Sequence, residues 1–108
     1  YIPCEISTIC MGLCASMAAV ILAAGTKGKR CALKHAEVMI HQPLGGMQGQ
    51  AKDMEIAMKH MSRTKDTIYE ILSNTTSQPK EKIQIDCDRD YFMNVHEAKV
   101  YGIIDHII

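Results

Sequence analysis

The sequence carries no surplus of charge: twelve Lys and Arg offset twelve Asp and Glu, and the isoelectric point lies near 7.1. A basic footprint for nucleic acid is therefore missing. Lys27, Lys29 and Arg30 form the one basic cluster, and the glycines beside them mark a solvated turn. The five cysteines, Cys4, Cys10, Cys14, Cys31 and Cys87, include no C-x-x-C pair and no regular spacing. That argues against a zinc site or a disulfide framework, and for a reducing compartment. The apolar run from Ile9 to Ala24 is shorter than the roughly 18 residues a membrane span needs. No basic segment precedes it, as a signal peptide would require. Tryptophan is absent, and there are no internal repeats or low-complexity linkers.

What is present fits one small globular domain of 108 residues, 47% apolar and 22% charged. Residues 1–5 read as the interior of a longer protein, without an initiating methionine. Ile6 to Met11 is strand-like, and Ala15 to Ala24 reads as a helix without a polar face, hence buried on all sides, with Gly25 as its C′ residue. Lys29 to Leu33 and Val38 to Gln42 are further strands, the second ended by Pro43. Strand, helix and strand with short connections imply a right-handed crossover and parallel strands. Leu44 to Gln50 is glycine-rich but lacks the spacing of a phosphate loop.

From about Ala51 to Ser73 the sequence predicts a long helix. Met54, Met58, Met61, Lys65, Ile68 and Leu72 recur at alternating steps of four and three along it, a coiled-coil-like seam. So small a domain cannot cover a helix longer than roughly 30 Å, so it should project. Eight methionines are many for this length, and flexible thioethers suit surfaces that repack. Pro79 opens a shorter helix, Asp86 to Phe92 is a charged turn leading to aromatics, and Asn94 with Glu97 resembles a capping box. That last helix stops at Gly102, before a strand-like end.

Gly12 to Ala19 is the stretch around which the rest is organised. Ser16 opens the apolar helix, where unpaired backbone N–H groups converge and the dipole favours negative charge. It is either a helix N-cap or a nucleophile beside an oxyanion site. The G-x-S-x-G elbow of hydrolases is absent. A serine nucleophile requires an imidazole base and a carboxylate behind it. His35 and His60 fall in a turn and on a charged helix. His41 instead ends a buried strand, and parallel neighbours would bring Ser16 and His41 to one sheet edge. Asp86, Asp88 and Asp90 are candidate third members, and spacing does not choose among them.

Residues 13–19, 25–30, 39–46 and Asp88-Arg89-Asp90 closely resemble the Clp protease proteolytic subunit family of ATP-dependent serine peptidases. The likeness continues through Glu97-Ala98-Lys99, Tyr101-Gly102 and Ile104-Asp105, almost end to end. It implies an α/β fold, part of a crotonase-like ββα spiral with a projecting handle helix. Residues 1–46 would be the head with the serine and histidine, 47–75 the handle strand and helix, and 76–108 the rest of the head with the aspartate. By the same resemblance Ser16 is the nucleophile, His41 the general base and Asp90 the orienting carboxylate. The Met17 N–H is an oxyanion donor, and Leu44 and Gly46 present backbone to an extended peptide. Asp88 and Arg89 are implied to form the ion pair that bridges two rings.

The family more often has Gly where Ala18 stands and Pro-Asn at Lys34-His35. Only the second half of a family subunit would be present, leaving the oxyanion hole incomplete and these 108 residues inactive alone. The resemblance implies two stacked seven-membered rings of one or more subunit types, an AAA+ unfoldase partner and unfolded polypeptide substrates. No metal or cofactor is implied in this chain, since ATP is used by the unfoldase. The compartment would be bacterial cytoplasm or an organellar stroma or matrix. A non-catalytic ring subunit and a crotonase-fold acyl-CoA enzyme are the alternatives.

Overall fold

A computed structural model describes residues 3–42 and 49–108. The expected strand from Ile6 to Met11 is present as the shorter β1 (Thr8–Cys10). A strand not expected, β2 (Leu13–Ala15), follows it in a different sheet and includes Ala15, the residue expected to open the helix. Gly12 lies between them, at a corner. The same happens to the next segment, which forms β3 (Arg30–Ala32), turns at Lys34 and His35, and continues as β4 (Glu37–Ile40). The two segments change sheet side by side. Cys10 O accepts from Leu33 N and Gly12 O from Glu37 N, both at 2.9 Å, and β1 pairs with β3 as β2 pairs with β4, in parallel. The expected parallel pairing is therefore present twice. The fully buried Cys10 thiol sits inside the corner, pointing at the carbonyls of Gly12 and Glu37.

Each sheet gains a third strand from the C-terminal part. The last strand, β6 (His106–Ile107), adds in parallel to β3. The second sheet is completed by β5 (Tyr91–Asn94), antiparallel to β4 with Ile40 opposite Tyr91. Four helices complete the described fold: α1 (Met17–Ala23), α2 (Ala51–Thr76), α3 (Lys80–Asp86) and α4 (Val95–Tyr101). The core between helices and sheets includes Leu22, Val38, Ile40, Leu72, Ile83, Met93 and Ile103, each at most 3% exposed. Transferring such side chains out of water contributes about 1.5–3 kcal/mol each. The capping box at the start of α4 is complete: Glu97 N donates to the Asn94 side chain and Asn94 N to the Glu97 side chain.

Two expectations need correction, and one holds for a different reason. First, α1 is not buried on all sides, because Met17 and Ile21 are 55% and 65% exposed. Its inner face, Ala19, Leu22 and Ala23, packs on the sheets, and no described residue covers the outer one. Second, Gly25 follows α1 as expected, but its φ is not positive. A Cβ there would instead come within 2.6 Å of Thr8 Oγ1, so close approach to β1 requires glycine. Third, Arg30 does not belong to a solvated turn. It is 3% exposed, and its Nη1 donates to Ala23 O and Thr75 O at the ends of α1 and α2.

The long helix is present and runs three residues past Ser73. Its 26 residues give about 39 Å at 1.5 Å per residue, against a longest molecular dimension of 50 Å. Its seam changes character along its length: Met54 and Met58 are exposed, Met61, Lys65 and Ile68 half-buried, and Leu72 buried. The N-terminal part of α2 therefore projects from the sheets.

Candidate active site

Ser16 stands between β2 and α1 with φ 61° and ψ −120°, a region that residues with a Cβ rarely occupy. Such a conformation costs about 1–3 kcal/mol and persists only where the surroundings impose it. Here the imposing bonds are on the backbone. Ser16 N donates to Met39 O at 3.0 Å, extending the β2–β4 ladder by one residue. Ser16 O accepts from Ala19 N and Val20 N, starting the helix. The side chain makes no capping bond. Its hydroxyl is turned away from the helix end and hydrogen-bonds His41 Nε2. Of the two readings of Ser16, the simple cap is thereby removed.

This is the sharp strand-to-helix turn that a G-x-S-x-G motif makes, although Cys14 and Ala18 occupy its glycine positions. The motif is a sequence signal for the geometry, and the geometry can occur without it.

His41 lies just past the end of β4, one step along from Ile40, with its side chain 16% exposed. Its other nitrogen, Nδ1, is 3.1 Å from Asp90 Oδ1. A carboxylate only accepts, so Nδ1 carries the proton and donates to Asp90. That leaves Nε2 as an acceptor facing the Ser16 hydroxyl. The β4–β5 register explains why Asp90 is the partner. With Ile40 opposite Tyr91 in an antiparallel pair, the next residues outward are His41 and Asp90. Of the other two candidates, the Asp86 carboxylate is engaged elsewhere and the Asp88 side chain is exposed, two residues off the His41 register. The Asp86 carboxylate accepts from Tyr101 Oη at 2.7 Å and Lys82 Nζ at 2.9 Å, while Asp88 offers its backbone carbonyl to Gln42.

A thiol stands close to Ser16 in the sequence. Cys14, two residues before Ser16, has its thiol pushed up to about 12, chiefly by burial and then by its hydrogen bond to Cys10. At neutral pH it stays protonated and does not compete. Met17 N–H, at the helix start, donates to no acceptor among the described residues. Asp88 and Arg89 are both exposed, on the turn before β5. His35 and His60 are also exposed, away from the site. Pro43, Leu44 and Gly46, expected to end the strand and bind peptide, lie outside the described residues.

Hydroxyl, imidazole and carboxylate in one hydrogen-bonded line, carried on an α/β fold, match the arrangement used by the serine-hydrolase class of site. The comparisons with known proteins narrow the class to a family. The Clp protease family model matches residues 1–108, and the chain belongs to that family, with its α/β fold. It is 56% identical over all its 108 residues to the ATP-dependent Clp protease proteolytic subunit of Porphyromonas gingivalis (strain ATCC BAA-308 / W83). The chain covers 49% of that protein, so it spans about half the length of the curated relative it matches.

Sequence reasoning did not find the side chain of Gln42, which reaches from the end of β4 to the turn that carries Asp90. Nor did it find β2. Both depend on pairing between distant segments, for which a local pattern holds no signal.

Proposed function

We propose that this chain supplies the catalytic triad of a serine endopeptidase, the proteolytic subunit of an ATP-dependent Clp complex. The observation that carries the reading is the continuous line from Ser16 Oγ to His41 Nε2 and from His41 Nδ1 to Asp90 Oδ1. In the reaction His41 takes the hydroxyl proton of Ser16 as the oxygen attacks a peptide carbonyl. The tetrahedral oxyanion is held by backbone donors, of which Met17 N–H is one. Protonated His41 then gives its proton to the leaving amine, and an acyl-enzyme remains. Water, deprotonated by His41, attacks the ester, and His41 returns that proton to Ser16 Oγ as the carboxyl product leaves. Asp90 holds the imidazole in the tautomer that both steps need and stabilises the imidazolium between them.

The substrate would be unfolded polypeptide, laid as an added strand along the backbone of Leu44 and Gly46. The assembly would be two stacked seven-membered rings, of one or more subunit types. The exposed Asp88 and Arg89 would meet the opposite ring, and the uncovered methionines of α2 would pack against a partner helix. An AAA+ unfoldase would feed it and consume the ATP, so this chain needs no cofactor of its own. Among the described residues no helix is long and apolar enough to cross a membrane. The proposed location is bacterial cytoplasm or an organellar stroma or matrix.

The test is labelling of the native protein that carries this chain with a fluorophosphonate, followed by peptide mapping. Covalent modification of Ser16, absent in Ser16→Ala, is expected. A protein that cleaves peptides while Ser16 stays unlabelled would overturn the reading.

A further inference from the structure

We infer that Gln42 is a positioning residue for the triad, holding the turn that carries Asp90; this rests on the serine-peptidase reading above. The β4–β5 ladder ends at the pair Ile40 and Tyr91. Beyond it the two segments do not simply separate. Gln42 N donates to Cys87 O at 2.7 Å, so the contact resumes three residues before Asp90. Asp88, Arg89 and Asp90 therefore form an exposed bulge between two fixed points. Inside that bulge the side chain of Gln42 makes a second bond, from Nε2 to Asp88 O at 3.1 Å. Among the described residues the other backbone bonds at that end are Asp88 N to Ile85 O at 3.3 Å and, one residue earlier, Cys87 N to Ile83 O at 2.9 Å.

The arrangement decides where the carboxylate sits. Asp90 has 60% of its side chain exposed, and His41 is its hydrogen-bond partner. Its position therefore comes from the backbone on either side. Tyr91 is fixed by the ladder, and Asp88 by Gln42. Because Gln42 directly follows His41, one segment carries both the imidazole and the clamp on its partner. The Asp88 carbonyl is tied to the inside while the Asp88 and Arg89 side chains face solvent. The bond from Gln42 would resist any displacement of this backbone and so keep Asp90 in place.

Gln42→Met keeps the length and shape of the side chain and removes the donor, leaving the backbone bond intact. In the native protein that carries this chain, it should slow fluorophosphonate labelling of Ser16 by about tenfold to a hundredfold, the scale of a small misplacement in an active site. The KM for a small fluorogenic peptide should not change, because Gln42 is not proposed to touch substrate. Gln42→Glu, which turns an acceptor toward the Asp88 carbonyl, should lose at least as much. The deciding measurement is a double-mutant cycle with Asp90→Ala. If Gln42 acts through Asp90, Gln42→Met slows labelling no further once Asp90 is gone. Equal fold-losses with and without Asp90, or no loss in either Gln42 variant, would overturn the inference. Failure of the peptidase reading shows separately, as unchanged labelling in Ser16→Ala.

Discussion

Arg30 grips Asp105 with two bonds, Nε to Oδ2 at 2.9 Å and Nη2 to Oδ1 at 2.8 Å, at the junction of β3 and β6. The same carboxylate accepts from the backbone N–H groups of Gly28, at 2.7 Å, and Arg30, at 3.2 Å. With Nη1 on the ends of α1 and α2, this pair ties four elements together, at the other end of α1 from the serine.

Acid should therefore loosen the fold. The hydrogen bond from Arg30, outweighing partial burial and aided by Gly28, holds the Asp105 carboxyl well below the usual carboxylate range. A lowered folded-state value means the contribution is fully present above the unfolded value of about 3.9. It is lost progressively as pH falls below that. Melting temperature followed from pH 6 down to pH 3 should drop more steeply for the parent than for Asp105→Asn. Parallel curves would remove Asp105 from this role. At neutral pH, Asp105→Ala should destabilise by about 3–5 kcal/mol, since it strands a buried guanidinium.

The strained backbone of Ser16 makes a separate prediction. Ser16→Ala and Ser16→Gly should both lose peptidase activity by roughly 10⁴ or more. Their stabilities should differ, because glycine accepts a positive φ and alanine does not. Ser16→Gly is expected to unfold at higher denaturant than Ser16→Ala, by about 1 kcal/mol or more. Equal midpoints would mean that the turn relaxes when the hydroxyl is gone.

Gly25 gives a paired test. Gly25→Ala pushes a methyl group into Thr8 Oγ1 and Cγ2, at 2.6 and 2.9 Å, and should cost about 1–3 kcal/mol. Adding Thr8→Ala removes the obstruction, although it also removes the bond from Thr8 Oγ1 to Leu22 O. The double variant should cost less than the sum of the singles. Strict additivity would show that close approach is not the reason for glycine here.

Thiol chemistry should separate Cys14 from the surface. With its thiol pushed up to about 12, Cys14 should resist iodoacetamide at pH 8, while exposed Cys4 reacts. Mass spectrometry after a short exposure distinguishes them. Alkylation of Cys14 at the rate of Cys4 would show that the thiol is not held neutral.

Much of this architecture was legible in the sequence because it is local. The capping box at Asn94, the stop at Gly102 and the length of α2 each follow from a few neighbouring residues. Parallel pairing of the strands before Ser16 and before His41 followed from their short crossover, and it put the hydroxyl and the imidazole on one edge. The choice of Asp90 over Asp86 and Asp88 needed either a family resemblance or the β4–β5 register. Composition misplaced Arg30, since a basic residue directly after a glycine and a lysine gives no hint of carbonyls waiting at two helix ends. The all-apolar face of α1 likewise says what could be buried, and nothing of which neighbours do it.

The paired change of sheet at Gly12 and Ala36 has a mechanical consequence. Ser16 and His41 ride on adjacent strands of one ladder, joined up to the residue where Ser16 N meets Met39 O. Separating them would mean tearing parallel strands apart. Asp90 arrives from the opposite side, on an exposed bulge that can shift without disturbing any ladder. On the proposed reading, a control over catalysis that spares these ladders could act on the aspartate. The triad has one welded joint and one adjustable one.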